Sequence, residues 1–273
     1  MSDLSIDAES VMLAKRSVAD VLRSWAVPLG CPVSYLERQG VVSVERDVDE
    51  EREVRIFTRG DLAVVSMPSA DARDFDLGNN EINELVELTR SGAEPGAVVI
   101  MRGTMLVVGD EPASVAVLDY NTFRAAINPA RAVIAYDPRP DVMDMLRHKV
   151  SAVDWEKGGG LFVSPHRVGA LAGGVLVALA SVSTADGHLA RVRVVVAPNF
   201  RRRGLGGLVL QKLAKHVLVE GLLPVARIAT TDIAAQTLAD ATGFVHFARA
   251  LTMRITAVSQ HQEAHGGAGP VFA

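Results

Sequence analysis

A chain of 273 residues is long enough for one large or two modest domains, each with its own core. With 49% hydrophobic and 22% charged residues it has the composition of a soluble globular protein, and a formal net charge of −4 argues against a general nucleic-acid binder. The single cysteine, Cys31, excludes an internal disulfide and fits a reducing compartment.

The first ten residues carry three acids and no base, unlike a secretory leader. Residues 9–26 are amphipathic, with Val11, Ala14, Val18, Val21, Leu22 and Trp25 on one face. Asp7 is the expected N-cap of this helix, and Pro28 with Gly30 should end it. Residues 41–44, 54–57 and 62–67 read as strands. The charged run 45–53 between the first two reads as a solvated hairpin. A helix over 79–90 turns Ile82, Leu85 and Val86 inward and leaves Glu81, Glu84 and Glu87 in water. A hairpin over 97–108 turns at Arg102-Gly103, strands follow at 115–118 and 132–135, and a helix at 141–150 follows Pro138 and Pro140. The longest apolar run, 168–182, is shorter than the ~18 residues of a membrane span. Its glycines make it two strands joined at Ala172-Gly173-Gly174. A cytoplasmic location without membrane contact is therefore expected.

Residues 194–207 carry the chemistry. A β-branched strand, Val194-Val195-Val196, stops at Pro198. Arg201-Arg202-Arg203-Gly204-Leu205-Gly206-Gly207 then opens a helix whose Leu205, Leu208, Val209, Leu213, Ala214 and Val217 share one face. Unpaired N–H groups and the positive end of the helix dipole make that turn an anion site. Glycine lets the backbone approach a large ligand closely. Two common phosphate motifs fail: Leu208-Val209 replace the Lys-Ser/Thr of a P-loop, and Val209 stands where a dinucleotide fingerprint needs its third glycine.

The pattern that remains is Arg-x-x-Gly-x-Gly, formed by Arg201, Gly204 and Gly206 directly after a Val-x-Pro strand end. It resembles the acyl-CoA site of the GNAT superfamily of N-acetyltransferases. The likeness extends over roughly 150–256: a strand at 225–229, a helix led by Asp232 with Ala235, Leu238 and Ala239, and Gly243-Phe244 opening a last strand. It implies an α/β fold with a mixed sheet flanked by helices. It also implies acetyl-CoA as co-substrate, without a metal, and acyl transfer to a primary amine of a small molecule or protein. Val194, Val195 and Val196 would hold the pantetheine arm through their backbones. Arg201, Arg202, Arg203, Gly204, Leu205, Gly206 and Gly207 would cradle the pyrophosphate. Asp232 stands where the family commonly has asparagine, and a carboxylate cannot donate the hydrogen bond that an amide gives; as an N-cap it has a second role. Ala239 stands where many relatives carry a tyrosine acid.

For the base, Glu156 in a loop before Gly158-Gly159-Gly160 and His188 at the head of the strand to the phosphate loop are the candidates. Asp154, water and a group from the first half are the alternatives. Arg191 and Arg193 either face an acidic acceptor or are exposed strand residues. His261 and His265 have an i, i+4 metal spacing but no third ligand in a glycine-rich tail.

The expected organisation is an N-terminal α/β region at 1–140, a GNAT-like catalytic domain at 141–257 and a disordered tail at 258–273. Element order makes the first region a degenerate copy of the second, with an unrelated cap as the alternative. The expected partners are a CoA thioester and an amine acceptor, with homodimerisation open and no nucleic acid. A non-catalytic acyl-CoA-binding sensor with the same fold is the rival reading.

Overall fold

The computed structural model describes residues 13–47, 52–69, 78–101, 104–109, 112–125, 132–160, 166–185 and 188–256. Asp7, the tail 258–273, and His261 and His265 lie outside them; the first described helix begins at Lys15 with Ala14 as its N-cap, not Asp7. The first half holds α1 (Lys15–Leu29), β1 (Val41–Arg46), β2 (Glu53–Arg59), β3 (Leu62–Pro68), α2 (Asn79–Ser91), β4 (Val98–Met101), β5 (Thr104–Val108) and β6 (Ala113–Val117). The second holds β7 (Val133–Tyr136), α3 (Pro140–Arg147), α4 (Ala152–Lys157), β8 (Arg167–Ala172), β9 (Val175–Ala185), β10 (Leu189–Val196), α5 (Leu205–Val219), β11 (Leu223–Ala229), α6 (Ile233–Thr242) and β12 (Val245–Thr256).

All these strands form one mixed sheet in the order β1-β3-β2-β12-β6-β11-β10-β9-β8-β7, with the β4–β5 hairpin joined through β5 to β12. The pairs β1–β3 and β10–β11 are parallel; the other described pairs are antiparallel. Helices cover both faces. On one, α1 packs over Phe57, Val115, Leu189, Val225 and Phe247, while α3 and α4 cover Leu176, Leu179 and Val195. On the other, α5 and α6 pack over Ala116, Val168, Ala190 and Val192, and α2 covers Ile56, Val65, Leu106 and Leu251. The two sides follow from strand alternation: Val115 and Val117 face α1, Ala116 faces α5.

The halves interlock. β6, from the first half, lies between β11 and β12 of the second, paired to both. It is buried from end to end, and Val115, Ala116 and Val117 have no exposed surface. An unbroken apolar run of this kind suits an inner strand covered on both faces. Burying each of its valines is worth about 1.5–3 kcal/mol. A register shift in β12 between His246 and Ala248 lets both Phe247 and Ala248 lie in the α1-side core. The order hairpin, connection, helix occurs in both halves: β2, β3 and α2 in the first, β9, β10 and α5 in the second, as a degenerate copy would have it.

Several local expectations change. β1 and β2 do not form the expected hairpin, because β1 pairs in parallel with β3. Arg46 is 4% exposed and donates to Ser66 and to the Glu53 carbonyl, so part of that charged run is core. α1 continues through Pro28 to Leu29 and closes at Gly30, whose φ of 64° suits glycine. The helix expected over 141–150 spans Pro140–Arg147, and a second helix, α4, replaces the expected loop around Glu156. Six residues are too few to show a helical period in the sequence. The β8–β9 turn is as expected, with Gly173 at φ 58° and Gly174 at φ 79°. No helix among the described residues is long and apolar enough to cross a membrane.

Candidate functional site

The site is a parting of two strands. β10 pairs with β9 from Leu189 to Val196, but with β11 only at Leu189↔Leu223, Ala190↔Pro224 and Arg191↔Val225. β11 continues beside β6 as far as Ala229. Beyond Arg191 and Val225 the strands diverge. The Ala197 N–H donates to the Val177 carbonyl on the β9 side (2.9 Å), whereas the His188 carbonyl accepts from the Leu223 N–H on the β11 side (2.8 Å). Alternation along the strand then turns the peptide groups of Val192, Val194 and Val196 toward the parted edge. The side chains of Val194 and Val196 pack on the α5 side; Val195 is buried on the other.

The parted edge runs into the glycine-rich turn. After a 3-10 turn at Pro198–Phe200, Arg202 (φ 59°) and Gly204 (φ 75°) take left-handed conformations and Leu205 opens α5. For arginine that conformation is sparsely populated and marks a constrained backbone. The first helical bond runs from the Leu208 N–H to the Gly204 carbonyl (3.0 Å), so the amides of Leu205, Gly206 and Gly207 have no acceptor within the helix. Gly204 offers no side-chain cap and the first turn holds no acid. Leu205, 2% exposed, anchors the helix start in the core. A Cβ at Gly206 would lie 3.4 Å from Val196 Cγ2 and 3.6 Å from Leu238, so this glycine also permits close helix–strand packing.

The three arginines differ. Arg201 joins its Nη2 to Asp154 Oδ2 (3.0 Å) and donates from Nε to the Val196 carbonyl (3.2 Å). Arg203 stacks its guanidinium 5.2 Å from the Phe200 ring centre. Arg202 is exposed. Arg201 thus ties the turn to α4, and its hydrogen bond holds the Asp154 carboxyl below the usual range. A carboxylate whose pKa is lowered is the weaker proton acceptor for it.

Glu156 is exposed on α4, one position beyond the buried Trp155. The turn after it is fixed. A Cβ at Gly158 would overlap Val195, and one at Gly160 would overlap the Trp155 ring. Ser181 Oγ donates to the Gly159 carbonyl (3.0 Å), and Arg193 Nη1 to the Lys157 carbonyl (2.9 Å). His188 lies at the closed end of β10, roughly 20 Å along the strand from Val194 at 3.3 Å per residue, so the structure does not bring it to the turn. Asp232 caps α6, its Oδ1 accepting from the Ala235 N–H (2.9 Å). Ala239 is 3% exposed and has no proton to offer. His246 is held on both ring nitrogens, by Ser114 Oγ at Nδ1 (2.6 Å) and by Asp240 Oδ1 at Nε2 (3.0 Å).

One residue beside Arg191 and Arg193 escaped the sequence reading, Arg227. Arg191 and Arg193 share a face with Leu189 and Val195, and Arg227 shares that face as the residue two beyond Val225. The Arg227 guanidinium lies 5.9 Å from the Trp25 ring centre on α1. The three stand where the cover from α1 gives way to that from α4. A long-range pairing places Arg227 there, and no local pattern shows it.

Residues 136–244 match the profile of the acetyltransferase (GNAT) family. This segment is a GNAT acetyltransferase domain. Its matched span holds the parted strands, the arginine-glycine turn, α4 and Asp232. Solved GNAT proteins are similar at low identity. A GCN5-related N-acetyltransferase from Kribbella flavida is 16% identical, with 86% of this chain and 94% of that chain covered and a TM-score of 0.45. A GNAT acetyltransferase from Colwellia psychrerythraea is 18% identical over 65% of this chain and 63% of that one, at 0.44. A tandem GNAT protein of the clavulanic acid biosynthesis pathway is 18% identical over 73% and 77%, at 0.41. No curated protein matches the chain.

Proposed function

We propose that the GNAT domain binds acetyl-CoA in the gap between β10 and β11 and transfers its acetyl group to a primary amine. The observation that carries this reading is the coincidence of two features: a strand edge left open beyond Arg191, and unpaired helix amides at the end of that same strand. A pantetheine arm carries amides of its own and can lie along β10 as an added strand. The backbone of Val194 is the open position for it, because the Val196 carbonyl already accepts from Arg201. The pyrophosphate then meets the amides of Leu205, Gly206 and Gly207, with Arg202 and Arg203 beside it.

On the α4 side of the gap, Glu156 is the base for the ammonium proton. It is exposed, on a fixed helix, and not tied to Arg201 as Asp154 is. The amide of Val194 is the donor for the tetrahedral oxyanion. CoA leaves as the thiolate without an acid, since a thiol of pKa about 8.5 is a fair leaving group near neutral pH. Arg191, Arg193 and Arg227 favour an acceptor that also carries an anionic group.

A thiol-release assay with acetyl-CoA across a panel of amines tests this. Turnover with acidic amines ahead of neutral ones is the expected result. Stabilisation by CoA without turnover on any amine would instead favour the acyl-CoA sensor.

A further inference from the structure

We infer that His166, His216 and Glu220 form a binding site for a divalent transition-metal ion, zinc by their chemistry, at the end of α5 remote from the acyl-CoA gap. His166 lies 54 positions before Glu220 in the sequence, and the fold brings the three residues together. His166 immediately precedes β8, and His216 and Glu220 stand one turn apart at the C-terminal end of α5. Their ligand atoms all lie within 4.8 Å of one another. His166 Nε2 is 3.4 Å from Glu220 Oε2, and His216 Nε2 is 3.3 Å from Glu220 Oε1.

Those separations suit a shared ion. Donors each about 2.0–2.1 Å from a tetrahedral zinc are about 3.3–3.4 Å apart. The two imidazole rings are tilted by 60° with centres 5.6 Å apart, so they converge on the carboxylate rather than stack. Two imidazoles and one carboxylate are a zinc donor set, with the fourth position left to water. The surroundings help: His166 is 18% exposed at its side chain, so the first ligand is already largely withdrawn from water. The negative end of the α5 dipole also favours a cation at this terminus.

The site lies roughly 17 Å along α5 from the phosphate turn, counting 1.5 Å per residue from Leu205 to His216. It would pin the end of α5 to the first residues of β8. This inference does not depend on the proposed acyl transfer, and its test needs no activity.

The test uses the full chain, stripped with a chelator and titrated with Zn²⁺ by calorimetry and with Co²⁺ by visible absorption. The expected result is one equivalent bound, the visible bands of a low-coordinate cobalt site, and a rise in melting temperature with Zn²⁺. His216→Ala and Glu220→Gln change half-exposed side chains, so both variants should fold, and each should weaken Zn²⁺ binding by at least ~10-fold. His261→Ala with His265→Ala should leave it unchanged. Absence of stoichiometric binding overturns the inference. So does binding that survives His216→Ala and Glu220→Gln but is lost with the two tail histidines.

Discussion

The two halves repeat an order of elements and differ at the two points that matter for a ligand. In the first, β3 leaves its hairpin with β2 and is covered along its other edge by β1, pairing from Val41↔Ala63 to Arg46↔Pro68. In the second, β10 leaves its hairpin with β9 and loses β11 after three residues. The helices that follow differ as well. α2 starts at Gly78 with Glu81 in its first turn, whereas α5 starts behind three arginines with no acid in its first turn. An acid beside the orphan amides competes for them and repels an anion; arginines do the opposite. A helix start alone is therefore not the site. The open edge and the basic helix start have to coincide, and they coincide once among the described residues.

The most drastic way to break the comparison is to separate the halves. An isolated 141–273 fragment lacks β6, so β11 and β12 lose their shared neighbour, and it also lacks β7 and α1. It should aggregate, as seen by size exclusion and circular dichroism. A monomeric fragment that binds CoA would make the first half a separate module.

The next effect is on binding. CoA at a hundred times its Kd should stabilise the protein by about 2.7 kcal/mol, a melting shift of several degrees. Gly204→Val with Gly206→Val should abolish that shift, because the added side chains stand over the amides that meet the pyrophosphate. Glu81→Gln, at the other helix start, should leave it intact. A CoA shift that survives the double variant removes the turn from the binding site.

A smaller effect is expected on rate. Tyr35→Phe, Tyr120→Phe and Tyr136→Phe should each leave kcat within a few-fold. A loss of ~10²-fold with CoA affinity intact would put the general acid in one of them. Ala239→Tyr should leave the rate within a few-fold or raise it, although tyrosine in a position 3% exposed costs about 1–3 kcal/mol of stability through overpacking.

The smallest is a pH effect. The Arg201 hydrogen bond lowers the Asp154 pKa in the folded state. Its contribution is therefore present above the ordinary aspartate pKa of about 3.9 and is lost as pH falls through the lower folded value. Asp154→Asn should flatten the acid limb of the stability curve slightly, since both partners are more than a third exposed. An unchanged acid limb would mean that the pair does not persist in solution.

What the sequence disclosed follows from how local each feature is. Val194–Val196, the arginines and the glycines lie within one contiguous stretch, and their chemistry shows in their order. The β8–β9 turn and the buried faces of α2 and α5 are also local patterns. The parting of β10 from β11 is a matter of which strand pairs with which: β10 stays with β9 to Val196, while β11 stays with β6 to Ala229. No periodicity carries that. Another non-local pairing, β1 with β3, replaces the expected β1–β2 hairpin and leaves Arg46 in the core. His188 looked suitable because it heads the right strand; only the paired register shows it at the wrong end.

Hydrogen exchange with and without CoA tests the central claim most directly. The account predicts new protection at the amides of Val194, Leu205, Gly206 and Gly207, and none at the start of α2, residues 79–81. Protection at α2, or no change along 194–207 while CoA is bound, would contradict it.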